Sequence, residues 1–124
     1  MSILPIRAFV VLLSLERPLR AGNFAAIYDR VRRIPVGETA AAAGALERIC
    51  DAVDSACLWY WKQVLCLQRS VATVILLRKR GISAELVIGA QHMPFKAHAW
   101  VEVDGRVVND RAYMSEMYSV LDRC

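Results

Sequence analysis

Residues 71–90 read VATVILLRKRGISAELVIGA, and the glycine in the middle of this stretch decides the fold class. Apolar residues at helical spacing precede it, and Arg78, Lys79 and Arg80 stand where the last turn of a helix favours positive charge. Gly81 is the residue type that most readily adopts the left-handed conformation that ends a helix. Beyond it the pattern changes to short apolar runs, which are typical of strands. The stretch therefore predicts a helix that stops at Gly81 and a sheet that follows it.

The residues upstream of this boundary predict three more helices. The first is expected to begin at Ser2, as its N-cap, and to end before Pro18, because proline removes a helical hydrogen bond. The second carries apolar residues at helical spacing and is expected to stop at Pro35. The third is expected to follow Thr39 as its N-cap. The helix that ends at Gly81 is expected to begin near Cys66, although no capping side chain marks that start.

The residues downstream predict a small antiparallel sheet. Three short apolar runs, 84–90, 97–103 and 106–110, are separated by turn residues, while the tail 113–121 fits neither pattern clearly. Helices followed by such strands predict the α+β class. A chain of 124 residues is long enough for one hydrophobic core, so we expect a single domain over 1–124.

Composition excludes several classes of function. The chain is 56% hydrophobic and 23% charged, which is typical of a globular protein. The net charge of +4 comes partly from two short basic clusters, which we interpret as helix ends and not as a nucleic-acid site. The apolar run 8–15 is too short to span a bilayer, and no cleavage site follows it, so a cytoplasmic location without a membrane span is expected.

The cysteines and histidines do not predict a metal site or disulfides. Cys50, Cys57 and Cys66 are spaced more widely than the ligands of structural zinc sites. A reducing cytoplasm disfavours disulfides. We therefore expect no metal and no cofactor.

The turn at 103–105 predicts which residues of the last two runs lie opposite each other. A three-residue loop with glycine in the left-handed position would pair Glu102 with Arg106, an opposite-charge pair that stabilises a hairpin. The same register would set Asp110 opposite His98. A two-residue loop would instead point Asp110 to the other face of the sheet. The charge pair favours the first register, which places a carboxylate beside the imidazole.

A histidine oriented by a carboxylate is the basic half of a nucleophilic triad, and Cys66 is the candidate nucleophile. A thiol at a helix N-terminus and next to an imidazolium is readily deprotonated to the reactive thiolate. By composition alone, a buried structural thiol is the more common role for such a cysteine.

Four segments together resemble one known family. They are CLQRS at 66–70, LRKRG at 77–81, AHAWVEVDG at 97–105 and VND at 108–110. In this combination and at these spacings the chain resembles the transglutaminase-like leader peptidases of lasso-peptide biosynthesis, the B proteins. The resemblance covers residues 59–110 closely, and it extends to the N-terminal helices only in general character.

This resemblance implies a fold, a site and a reaction. The fold would be a papain/transglutaminase-like cysteine peptidase core, with a helical part at 1–62 and a catalytic core at 63–124. Cys66 would be the nucleophile, His98 the base and Asp110 the orienting acid. The reaction would be removal of the leader from a ribosomally made precursor peptide.

The resemblance also implies partners. The chain is similar to the split form of the family, which lacks the leader-recognition domain, so a separate leader-binding protein would deliver the precursor. An ATP-dependent cyclase would then act on the freed core. The cyclase would be a separate protein, because no phosphate-binding loop is present in this chain.

Two other functions fit the same residues. A transglutaminase or an amidase would use the same triad and the same thioester intermediate. A scaffold that binds the precursor peptide without cleaving it would need no triad at all.

Overall fold

The computed structural model describes residues 3–37, 44–92, 95–109 and 118–124. Within these residues four helices are followed by a four-stranded antiparallel sheet, so the predicted α+β class is confirmed. The helices are α1 (Leu4–Arg20), α2 (Phe24–Arg33), α3 (Ala45–Trp59) and α4 (Cys66–Lys79), and the strands are β1 (Ala84–His92), β2 (Phe95–Val103), β3 (Arg106–Val107) and β4 (Ser119–Arg123).

Helix α1 continues through Pro18, so the prediction that it ends before this proline is wrong. The proline loses one helical hydrogen bond, but Leu15 on one side is fully buried and Leu19 on the other packs against the core. Burial of these side chains stabilises the helix across the break. The residues predicted as the caps of α1 and α3, Ser2 and Thr39, lie outside the described residues.

Helix α2 ends where the sequence predicts, and a side chain caps its first turn. The Oδ1 atom of Asn23 accepts a hydrogen bond from the Ala26 N–H at 3.2 Å, which caps the first turn. The helix stops at Arg33, two residues before Pro35. Arg30, Arg32 and Arg33 lie in its last turn, so the first basic cluster is a helix end, as expected.

Helix α4 ends in a Schellman motif at Gly81, which confirms the predicted boundary. Gly81 has a φ of 78°. The Ile82 N–H donates to the Leu77 carbonyl at 3.0 Å, and the Gly81 N–H donates to the Arg78 carbonyl at 2.9 Å. The side chain of Arg78 turns inward and donates to the Ala84 carbonyl at 2.9 Å, so it ties the end of the helix to the start of β1.

The strand order in the sheet is β3-β2-β1-β4, and all pairs are antiparallel. The C-terminal residues, which the sequence pattern left undecided, supply β4. This strand pairs with the free edge of β1, and a bulge shifts the register between Ile88 and Gly89.

The predicted hairpin register is wrong. Val103 pairs with Arg106 and Glu102 pairs with Val107, so the loop has two residues and not three. Both loop residues have positive φ, 53° at Asp104 and 76° at Gly105, as a type I′ turn requires. The charge pair that favoured the longer loop does not form across these strands, because Glu102 is bonded elsewhere.

Two faces of the sheet carry different residues. Ala99 and Val101 on β2 belong to the core that the helices form, and the Ser70 hydroxyl of α4 donates to the Ala99 carbonyl. Side chains alternate along a strand, so His98, Trp100 and Glu102 share the opposite face. Trp100 is fully buried on that face.

Gly89 lies where the ring of Trp100 crosses β1. A Cβ atom added at this position would lie 2.6 Å from Cη2 of Trp100 and 2.8 Å from Cβ of Tyr118. Such distances are far shorter than van der Waals contacts, so the sheet needs a residue without a side chain here.

We expect Gly89→Ala to lower the free energy of unfolding by about 2 kcal/mol, because the added methyl overpacks the site. Urea denaturation followed by circular dichroism measures the loss. The same substitution in a Trp100→Phe background is the control, since the atoms nearest the new methyl belong to the six-membered ring of the indole. An equal loss in both backgrounds would show that the clash with Trp100 is not the cause.

Candidate active site

Cys66 and His98 line one cleft between the N-terminus of α4, the sheet and α2. Its volume is about 240 Å³. The other lining residues are almost entirely apolar: Phe24, Tyr28, Leu67, Ile88, Ala97 and Ala99. The cleft is thus lined by one cysteine and one histidine among apolar residues, a composition that suits an organic substrate.

Cys66 is the first residue of α4, as the sequence predicts. The side chain is half-buried, and Leu65 precedes it as an N-cap residue without a side-chain hydrogen bond. The first hydrogen bond of the helix runs from the Arg69 N–H to the Leu65 carbonyl at 3.0 Å. The N–H groups of the first turn therefore stand outside the helical ladder, and the positive end of the helix dipole lies beside the sulfur. This arrangement can stabilise a negative oxygen that develops next to the sulfur.

His98 lies on β2 opposite Gly89 and takes part in an aromatic cluster. Its ring stacks on Tyr118, with 5.5 Å between centroids, and on Trp100, with 6.2 Å. The Trp100 Nε1–H donates to Glu102 at 2.8 Å, and Arg123 donates to the other oxygen of the same carboxylate at 2.9 Å. Sequence patterns give no sign of Tyr118 at this site, because it comes from the C-terminal tail.

The family follows from comparison of the whole chain with known proteins. The model of the transglutaminase-like superfamily matches residues 9–123. The chain belongs to this superfamily. A cysteine at the start of a helix and a histidine on a neighbouring strand, both lining one cleft, agree with that assignment.

One curated relative matches a shorter stretch of the chain. The chain is 46% identical over 56 residues to the microcin J25-processing protein McjB of Escherichia coli. The match covers 45% of this chain and 27% of the relative, so it spans about a quarter of that protein. No solved structure shows significant similarity to the chain.

Asp110, the predicted orienting acid, lies outside the described residues. The prediction that strand pairing sets Asp110 opposite His98 depended on a three-residue loop, and the structure has a two-residue loop. Strand β3 ends at Val107, and beyond it the Val101 N–H bonds to the side chain of Asn109 at 2.8 Å instead of to a backbone carbonyl. The assignment of Asp110 as the acid therefore rests on the resemblance to the family alone.

A buried carboxylate holds the segment that leads into α4. Glu16 of α1 accepts hydrogen bonds from the Tyr60 hydroxyl at 2.9 Å and from the Gln68 side-chain amide at 3.2 Å, and it forms an ion pair with Lys62 at 2.9 Å. These partners stand on either side of Cys66 in the chain. Glu16 thus fixes the approach of the backbone to Cys66, a role that the sequence pattern of α1 does not reveal.

The ionisation of this network is set by its hydrogen bonds. Burial acts to raise the pKa of Glu16, but hydrogen bonds from Lys62, Tyr60 and Gln68 outweigh it, and the pKa lies below the ordinary value of 4.5. Burial and the neighbouring Glu16 carboxylate raise the pKa of Tyr60 to about 12, so its hydroxyl keeps its proton and donates.

The other three cysteines are less suited to nucleophilic attack. Burial raises the pKa of Cys57 and Cys124, and it raises the pKa of Cys50 to about 11. The Cys50 thiol contacts the Val108 carbonyl at 3.6 Å. All four cysteines are free thiols.

Among the described helices none is both long and apolar enough to cross a membrane.

The Glu16 network predicts a loss of stability in acid. A pKa that is lowered on folding contributes stability above the ordinary value of 4.5, and this contribution disappears as the pH falls through the lower value of the folded protein. We therefore expect Glu16→Gln to flatten the decline of the unfolding free energy below pH 4.5, measured by urea denaturation at a series of pH values. The control is Glu47→Gln, which removes an exposed carboxylate from α3. An unchanged acid profile in Glu16→Gln would contradict the prediction.

Proposed function

We propose that this protein is a cysteine peptidase that removes the leader from a lasso-peptide precursor, with Cys66 as nucleophile, His98 as base and Asp110 as orienting acid. The observation that carries the proposal is the cleft lined by both Cys66 and His98 at the N-terminus of α4. Membership of the transglutaminase-like superfamily and the similarity to a microcin J25-processing protein support the same reaction class.

In the proposed mechanism the thiolate of Cys66 attacks the carbonyl carbon of the bond between leader and core. The negative oxygen that develops is stabilised by N–H groups of the first turn of α4, of which the Cys66 N–H is nearest to the sulfur. His98 gives a proton to the leaving amine, and the core peptide departs. His98 then takes a proton from water, which hydrolyses the thioester and releases the leader with a free carboxylate. This sequence requires the imidazole to reach the sulfur through the cleft that both residues line.

The proposal includes partners and a location. A separate leader-binding protein would present the precursor, and an ATP-dependent cyclase would use the freed amino group of the core. Both would act with this chain in the cytoplasm, where the precursor is synthesised.

A transferase is the second candidate, and its support is the transglutaminase-like superfamily itself. A transferase and a peptidase form the same thioester and differ only in the acceptor, which is an amine or water. Product masses separate the two. Cleavage in the presence of a simple primary amine gives a leader carboxylate if water is the acceptor and a leader amide if the amine is.

We expect a mixture of this protein, a leader-binding partner and a precursor peptide to yield one cleavage, between leader and core, seen by mass spectrometry. Cys66→Ala should abolish it, because no other residue replaces the attacking sulfur. Cys57→Ala is the matched control, since it removes another half-buried thiol on a neighbouring helix and should cleave at the wild-type rate.

Equal cleavage by the wild type and by Cys66→Ala would contradict the assignment of the nucleophile. Absence of cleavage by folded wild-type protein, with a partner shown to bind the leader, would favour a scaffold that binds the precursor without reaction. The leader and core masses after reaction identify which bond is broken.

A further inference from the structure

Ser70 lies one turn beyond Cys66 on α4 and is completely buried. Its hydroxyl donates to the Ala99 carbonyl at 3.0 Å. It accepts a hydrogen bond from the side-chain amide of Asn109 at 2.9 Å. The donor and one acceptor site of this buried hydroxyl are therefore both satisfied within the protein.

The partners of this hydroxyl are direct neighbours of the proposed triad residues. Ala99 follows His98 in β2, and Asn109 precedes Asp110. Ser70 itself is four residues from Cys66, on the same face of α4. One hydroxyl group therefore links the helix of the nucleophile, the strand of the base and the segment that leads to the acid.

Asn109 makes the third bond of the cluster. Its Oδ1 atom accepts from the Val101 N–H at 2.8 Å, at the point where strand pairing ends. Only one orientation of the amide gives Val101 an acceptor and Ser70 a donor at the same time. The side-chain amide of Asn109 thus takes the place of the next backbone hydrogen bond between β2 and β3. It fixes the direction in which the chain leaves β3.

We propose that Ser70 and Asn109 form a positioning pair, which sets the distance and orientation of Cys66 and His98 relative to one another. The inference rests on the proposed function. Neither residue touches substrate in this proposal. Their hydrogen bonds join the helix that begins at Cys66 to the backbone next to His98, so loss of either side chain displaces these two groups relative to each other. A displacement of about 1 Å is enough to lower the rate of an enzymatic step by the order of 100-fold.

Thr73 provides a matched control on the same helix. It is buried, and its hydroxyl donates to the Arg69 carbonyl at 2.8 Å, within α4 itself. Thr73→Val removes a buried hydroxyl while the shape of the side chain is kept, and no contact between α4 and the strands is lost. Ser70→Ala removes a hydroxyl whose bonds reach residues 29 and 39 positions away. A purely structural role for Ser70 would make the two variants alike.

The experiment measures the rate at which iodoacetamide alkylates Cys66 as a function of pH, by mass spectrometry of the peptide that contains it. Cys50, Cys57 and Cys124 are internal references in the same sample. Ser70→Ala and Asn109→Asp are compared with the wild type, Thr73→Val and His98→Ala at a temperature where circular dichroism shows each protein folded. Asn109→Asp keeps an acceptor for Val101 and removes the donor to Ser70, so it tests the proposal even if Ser70→Ala does not fold.

We expect both positioning variants to slow alkylation of Cys66 at neutral pH by about 10-fold and to shift its pH profile toward that of His98→Ala, because the proposed function has the imidazole of His98 assist formation of the attacking thiolate. In leader cleavage, kcat should fall by about 10- to 100-fold while KM stays within about twofold of the wild type. Thr73→Val should leave the profile and kcat unchanged. A wild-type profile in the folded positioning variants, or an equal shift in Thr73→Val, overturns the proposal.

The alkylation profile needs no substrate, and this separates the two proposals. If the wild type cleaves no precursor while the positioning variants still shift the profile of Cys66, the proposed function fails and the positioning pair stands. If the wild type cleaves the precursor and the positioning variants match it in profile and kcat, the positioning pair fails and the proposed function stands.

Discussion

Helix α4 is buried on nearly every side, and this constraint organises the rest of the molecule. Ten of its fourteen residues are buried, including Gln68, Ser70, Thr73 and Arg78. A helix enclosed in this way must satisfy its polar side chains inside the protein, since each unsatisfied group would destabilise the fold by about 1–3 kcal/mol. The positions of its polar residues therefore decide where α1, the sheet and the turn after α4 contact it.

Each end of α4 is fixed by a different polar contact. At its start, Gln68 donates to the Leu12 carbonyl and to Glu16, which binds Tyr60 and Lys62 as well. At its end, Arg78 donates to backbone carbonyls of β1 and of the segment around α2. Cys66 thus stands on a helix that cannot slide or rotate without breaking buried hydrogen bonds. A rigid support of this kind keeps a nucleophile in a defined geometry and does not require the nucleophile itself to be enclosed.

The sheet contributes the histidine and holds it from its outer face. Trp100 covers Gly89 and donates to Glu102, and Glu102 binds Arg123 of the last strand. The C-terminal strand and Tyr118, which precedes it, therefore take part in the support of His98, the strand through this carboxylate and Tyr118 through ring stacking. The same contacts explain why the register predicted for the β2–β3 hairpin is wrong. The sequence predicts that Glu102 pairs with Arg106 across the turn. In the structure its partners come from β2 itself and from β4, which begins more than fifteen residues further along the chain.

Local signals along the sequence were sufficient for several features because their physical causes are local. Gly81 ends a helix because it adopts a left-handed φ, and the change from helical spacing to short apolar runs marks the start of the sheet. The sequence likewise predicted that Cys66 begins a helix and that His98 lies on a strand. Tertiary structure alone decided the continuation of α1 through Pro18, the joining of the tail to β1, and the hydrogen bonds of Ser70 with Ala99 and Asn109. These features depend on groups far apart in the chain, whose mutual burial and hydrogen bonding outweigh the preferences of any single segment.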